Sequence, residues 1–438
     1  MRSKRTIMLK GLVQVESDGD LPPETGVAII GGGIVGVTAA LFLAERGVPV
    51  CLFEKGEIAA EQSGRNWGWV RKMGRQSTDI GLAILAGEIW PTLAERSGED
   101  LGFRVNGSLY PCDTEEEIEE QARWRREIGQ PAGVESHLLD AARTAALLPG
   151  CKRPFKGALH TPSDGCAEPF QAAPGIALGA RRAGARIYTN CAVRDLETAA
   201  GRISAVVTER GRVACDRVIL ATGAWSSLFL RHLGQRLPQL SLRASVCHLE
   251  GVAAPEICCS ARDISFRMRQ DGTCTFARRN RSTSELSPDH FRFFRDFLPT
   301  LRENREMVGL RASPGGFLRA WRDSRDWQAG EETVFERTRV LEAPGDPAIL
   351  SQARDRLIEA FPVFAGMRVI QDWSGFIEGT PDAMPVIGPV PEHDGLLLAT
   401  GFSGHGFGTG PAVGQLLTEL AEGQTPSLDL EAFRFDRF

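Results

Sequence analysis

The sequence predicts an α/β protein: a mostly parallel sheet built around a glycine turn, with a second, α+β unit inserted into it. Three observations predict this. Residues 27–55, VAIIGGGIVGVTAALFLAERGVPVCLFEK, spell strand, glycine turn, helix and strand in succession. Two later segments, DRVILATGAWSS (216–227) and GLLLATGFSGHG (395–406), each spell a buried strand that ends in a glycine-containing loop. Between them, over 240–370, a hairpin and charged helix-like stretches replace that pattern.

In the first unit, Val27 to Ile30 is a short buried strand that stops at Gly31-Gly32-Gly33. Gly31, Gly33 and Gly36 form G-x-G-x-x-G. Gly31 makes the turn, Gly33 lets backbone approach a pyrophosphate, and Gly36 lets helix and strand pack closely. A helix reads from Ile34 to Arg46, with Gly47 at its C-terminal cap. Its first N–H groups would face phosphates. Val48 to Phe53 is a second strand, ending at Glu54, the acid placed to hold a ribose. Residues 27–44 contain one polar residue, Thr38, and by length alone could cross a bilayer. The interior glycines and the register of strand, turn, helix, strand and acid favour dinucleotide binding instead.

Further along, helices read over 79–97, 115–129 and 168–186, and ARIYTNCAVRDLE (185–197) reads as a strand and its neighbour. SFRMRQDGTCTFARRN (265–280) reads as a hairpin turning at Asp271-Gly272. A charged helical stretch follows from Pro288 to Arg305, and a last helix from Pro411 to Glu422, with proline at an early position and Gly423 after its end. The expected division is a tail (1–24), nucleotide-binding parts at 25–85, 156–236 and 371–438, and substrate-domain parts at 86–155 and 237–370.

Composition narrows the class. At 42% hydrophobic and 24% charged, with net charge −5, the chain has a globular make-up and no global pull toward nucleic acid or anionic lipid. Ten cysteines without a C-x-x-C pair argue against a zinc site and a disulfide framework, which leads to the expectation of no metal and a cytoplasmic location. No stretch besides 27–44 approaches membrane length. Lys156 is the last lysine, so no chemistry needing a lysine is available beyond it.

The order of motifs resembles the FAD-dependent D-amino-acid oxidase superfamily, in its glycine oxidase and monomeric sarcosine oxidase branch. The resemblance rests on the early glycines with Glu54, SGRNWGWVR (63–71), LATGAWS (220–226), WSGFIEGTPDAMPVIG (373–388) and GFSGHGFGTGPAVG (401–414), and spans about 25 to 438. It implies a Rossmann-like FAD-binding domain with an inserted α+β substrate domain on a mixed or antiparallel sheet. It implies Glu54 at the adenosine ribose, Val193 beside the adenine, Ser63, Asn66 and Gly68 along the pyrophosphate and flavin, and Gly223 and Trp225 flanking the cofactor. Gly404, His405, Gly406 and Phe407 follow the pyrimidine edge. Gly31, Gly33, Ile34, Val35, Gly36, Lys55, Arg65, Trp69, Ala221, Gly375, Gly401 and Gly408 complete the implied cofactor set. A helix starting near Pro411 would aim its positive end at the flavin C2 carbonyl region, favouring the charge of the reduced ring.

The departures from the family are informative. The position at which some sarcosine oxidases attach flavin through cysteine is Gly375, and residues 63–72 contain no histidine, so FAD is expected to be non-covalent. The positions of two family anchors for the substrate carboxylate are Ile377 and Gly408. Arg71 remains, with help expected from Lys72, Arg75 or the hairpin arginines Arg267, Arg269, Arg278 and Arg279, a cation excess that suits an iminodiacetate-like dicarboxylic amine. Glu378 faces the substrate amine or solvent. The expected chemistry is oxidation of the C–N bond of an N-substituted or D-amino acid, with Arg71, His405 and Glu378 as catalytic candidates and O2 or another acceptor taking the electrons. The alternatives are a 2-hydroxy acid enzyme with His405 as base, or a subunit of a heteromeric flavoprotein dehydrogenase.

Overall fold

The structure is a computed structural model and describes residues 9–303, 308–323, 327–328 and 330–438. Two large sheets organise it. The first has eight strands. Glu24–Ile30 lies between Val50–Phe53 and Gly211–Leu220, parallel to both, and Arg186–Tyr188 extends the parallel run. The far edge of Gly211–Leu220 is shared. Its first half pairs antiparallel with Arg202–Thr208, and its second half pairs parallel with Leu396–Thr400.

The apolar run of 27–44 is explained by burial on every side. The helix Ile34–Glu45 is sandwiched between the sheet, the C-terminal helix Gly406–Ala421 and the helix Ala172–Arg182, so all its residues but the last are buried. A helix that is apolar all round must be covered all round, and here protein rather than lipid covers it. Among the described residues, no helix is long and apolar enough to cross a membrane. Close packing also explains Gly36: a Cβ there would lie 2.0 Å from the Gly31 carbonyl oxygen.

The second sheet has ten strands and is mixed. Leu240–Glu250 is its spine, paired along its length with Arg368–Gly379 on one edge and with Cys274–Ala277 and Ser282–Glu285 on the other. The expected hairpin is present as Ser265–Met268 and Cys274–Ala277. Pairing decides which sheet a segment joins. Gly157–Thr161 pairs with Ser108–Cys112, and Arg368–Gly379 with Leu240–Glu250, so both belong to this sheet, across the sequence divisions at 156 and 371.

Several elements differ from expectation at their ends. The expected helix over 168–186 is Ala172–Arg182, because Glu168 is held in the preceding turn by buried arginines. The helix over 115–129 is Glu115–Trp124 followed by a wider turn, Arg125–Gly129. Pro288–Arg292 and Phe294–Glu303 form the charged helical stretch, whose last two expected residues lie outside the described ones. Residues 9–23 add no strand, yet Leu9, Leu12 and Val15 are buried against the body of the protein.

The largest correction concerns the last helix, which starts at Gly406 rather than Pro411. The glycine-rich run reads as a loop by propensity, but packing selects helix. A Cβ at Gly408 would lie 2.8 Å from the Trp69 carbonyl oxygen, and one at Gly410 would lie 2.6 Å from Ile34. Pro411 therefore sits inside the helix and leaves the Phe407 carbonyl without its helical donor. The electropositive end lies five residues nearer the loop at His405, about 7.5 Å along the axis.

Candidate active site

A cavity of about 540 Å³ runs between the two sheets, past the carboxyl ends of the parallel strands. Of the expected cofactor residues, Gly31, Gly33, Ile34, Val35, Glu54, Lys55, Ser63, Arg65, Asn66, Trp69, Val193, Ala221, Gly223, Trp225, Gly375, Gly404, His405, Gly406, Phe407 and Gly408 line it. So do the catalytic candidates Arg71 and Glu378. Gly36, Gly68 and Gly401 do not; they support the wall. Gly68, at φ +78°, backs onto the Ala167 carbonyl and the Arg267 guanidinium, and Gly401 onto Thr380.

At the glycine-turn end, the half-buried Glu54 carboxylate accepts hydrogen bonds from the Gly32 and Gly56 N–H groups, both at 2.7 Å. Burial pushes its pKa up. Ser63 accepts the N–H of Ile34 at 2.9 Å, so the loop after the second strand is tied to the first helix. Lys55 pairs with Glu61 at 2.8 Å and lies 4.6 Å over the Trp225 ring, whose Nε1–H donates to the same carboxylate. Asn66 shapes its own loop: its amide donates to the Gln62 and Ser63 carbonyls and accepts from the Gly68 N–H.

At the other end, His405 caps the C-terminal helix, and the first N–H groups of that helix have no partner within it. Arg71 Nη2 lies 3.4 Å from His405 Nε2, and its Nη1 donates to the Met73 carbonyl. Burial, reinforced by Arg75 and Arg71, holds His405 well below the usual imidazole range. The ring is therefore neutral at pH 7, with Nε2 accepting from Arg71. Glu378 is buried; its Oε1 accepts from the Phe402 N–H at 3.4 Å and its Oε2 has no partner. Burial pushes its carboxyl up to about 7.

The arginines separate into two groups. Arg267 and Arg269 are bound to the buried Glu168, at 2.8 and 3.1 Å, and support the wall without facing the cavity. Lys72 points its ammonium at the Ser163 carbonyl, away from the cavity. Arg75, Arg278 and Arg279 line the cavity. Sequence reasoning gave no role to Tyr110, Gln62, Trp67 or Phe376, which also line it. Tyr110, one of two tyrosines, carried a faint signal by rarity; the others carried none.

The fit to FAD can be tested on these residues. A half-buried acid stands beside the glycine turn, and a helix presents free N–H groups to the far end of the same cavity. Three lining side chains hold buried polar atoms without a hydrogen-bond partner: Arg65 Nη1, Arg75 Nη1 and Glu378 Oε2. Buried polar atoms without partners are costly unless a ligand completes them. The residues fit the cofactor.

An open parallel sheet with a glycine turn, sharing one elongated cavity with a mixed-sheet domain, defines a dinucleotide-dependent redox enzyme. The chain belongs to the DAO family of FAD dependent oxidoreductases, whose model matches residues 26–420. Its cofactor is FAD. It is 26% identical to the glycine oxidase of Pseudomonas putida over 92% of this chain and 96% of that one. Among solved structures it is similar to the L-amino acid deaminase of Proteus myxofaciens, with 31% identity, a TM-score of 0.94, and coverage of 97% of this chain and 96% of that one. Glycine oxidase from Geobacillus kaustophilus shares the fold at a TM-score of 0.76 and 21% identity, over 95% of this chain and all of that one.

Proposed function

We propose that the protein oxidises the C–N bond of an amino acid. The observation that carries this reading is Arg71: a cavity-facing guanidinium with no acidic partner among the described residues, beside a neutral histidine and the free end of a helix. Such a group grips a carboxylate through parallel hydrogen bonds and fixes the α-carbon in one place. FAD, held by the glycine turn, Glu54 and the start of the C-terminal helix, would supply the two-electron oxidant for that carbon, with O2 or another acceptor regenerating it.

The protein's own residues supply orientation and proton handling. The substrate amine must be neutral to release hydride. Glu378, near half-ionised at pH 7 and with a free oxygen, takes the proton from the substrate ammonium. The imine product then hydrolyses in water. The first N–H groups of the C-terminal helix stabilise negative charge at the cavity end they face. Non-covalent attachment is supported by the lining, which among the described residues holds no cysteine and a single histidine, His405.

Oxidation of a hydroxyl would need a base, and His405 is the candidate. Its Nε2 already faces a guanidinium, and its pKa is low, which favours the amine reading. Anaerobic mixing with a panel of L- and D-amino acids, N-alkyl glycines and 2-hydroxy acids tests both. Bleaching of the flavin by amino acids and not by hydroxy acids is expected; bleaching by hydroxy acids alone overturns the reading.

A further inference from the structure

Around Tyr110 the cavity carries more guanidinium than carboxylate. Arg71 and Arg279 both approach the Tyr110 ring, with their guanidinium carbons 5.8 and 4.4 Å from its centroid. Neither has an ion-pair partner among the described residues. Arg278 beside them is held by Gln352 and Asn280, both uncharged. Arg75 lies underneath, 2% exposed, with Nη1 making no hydrogen bond and its nearest acid, Asp79 Oδ2, 3.7 Å away. Burial and the neighbouring Arg71 lower its pKa to about 10.

The acids nearby are already engaged. Asp164 accepts the Lys72 and Met73 N–H groups, Asp79 accepts the Gln76 N–H, and Glu168 is shared by Arg267 and Arg269. One carboxylate on Arg71 leaves Arg279 and its neighbour unmatched on the same ring. Arg71 is half-buried and Arg279 is exposed at the cavity wall, and with no protein acid paired to either, an anionic ligand in the cavity can supply it.

We propose that the substrate is an amino dicarboxylate. Its α-carboxylate lies on Arg71 and its second carboxylate, on the side chain or the N-substituent, lies on Arg279 with Arg278. The two guanidinium carbons are no farther apart than their combined distances to the ring centroid, a span a short dicarboxylate bridges. Arg75 stays beneath Arg71 and adds positive potential to the same end. This inference rests on the amino-acid reading above and assigns the half of the site that reading leaves unused.

The test uses the FAD-loaded enzyme and reads binding by the change in flavin absorbance. Acetate and propionate are titrated against malonate, succinate and glutarate, none of which reduces the flavin. The best-fitting dicarboxylate is expected to bind roughly tenfold or more tightly than the monocarboxylates. Arg279→Met keeps the stem on Tyr110 and removes the charge. It is expected to abolish that preference while leaving monocarboxylate binding within about twofold. Equal weakening of both classes, or no effect on either, overturns the dicarboxylate assignment. Arg71→Met separates the two claims: if it leaves monocarboxylate binding unchanged, the amino-acid reading itself fails, whatever Arg279 does.

Discussion

Replacing Glu378 by glutamine tests the electrostatics of the site directly. Glutamine keeps the volume and the acceptor oxygen but cannot ionise. The carboxyl of Glu378 is raised from 4.5 to about 7 by burial, which outweighs the hydrogen bonds that favour its charged form, the Phe402 N–H among them. In the unfolded chain it titrates near its ordinary value. Below that value both states are protonated and the fold keeps its full stability. As pH rises toward 7, the unfolded chain ionises first and folded stability falls; above about 7 the loss is complete. Carrying the carboxyl from 4.5 to about 7 corresponds to on the order of 3 kcal/mol. Wild type and Glu378→Gln, both saturated with FAD, are melted from about pH 3.5 to about pH 8.5. The variant is expected to match wild type at the acid end and to gain steadily through neutrality. In the same proteins the rate of flavin bleaching by substrate should rise through about pH 7 in wild type and lose that limb in the variant. A stability difference that is flat with pH refutes the buried, proton-holding Glu378.

Three other outcomes follow from the geometry. Gly36→Ala places a Cβ where the Gly31 carbonyl oxygen stands, so the variant should lose thermal stability and FAD content together, read from melting and from the flavin-to-protein absorbance ratio. Acid precipitation of the holoprotein should leave the yellow flavin in the supernatant, since the cavity offers no cysteine to bond it; flavin in the pellet would contradict this. Glu168→Gln strands two buried guanidiniums, Arg267 and Arg269, and should cost about 3–5 kcal/mol in urea unfolding while leaving the preference among dicarboxylates unchanged.

What was legible in the sequence was local. The first glycine turn, its helix and Glu54 read directly, because each position obeys a short-range rule of backbone freedom or strand burial. The cofactor wall was legible through resemblance, and the structure brings most of those residues to one cavity. The start of the last helix was not legible. Local propensity places glycines in a loop and proline at a helix start, while the observed helix is chosen by contact with Trp69 and Ile34, far away in sequence.

The arginines show the same limit more sharply. Arg267, Arg269, Arg278 and Arg279 lie within one hairpin and look equivalent in sequence. Strand alternation and the position of Glu168, about a hundred residues earlier, divide them. The first two share a buried acid, and Arg267 donates to the Trp67 carbonyl and backs Gly68. The last two stand past the strand's end, where the chain turns along the cavity. A carboxylate at 168 thus determines which cations remain for a ligand, and it does so through a pairing that no spacing rule contains. Charge that a fold leaves unpaired in a cavity is the part of a sequence most informative about substrate, and it becomes visible only after the paired charge has been subtracted.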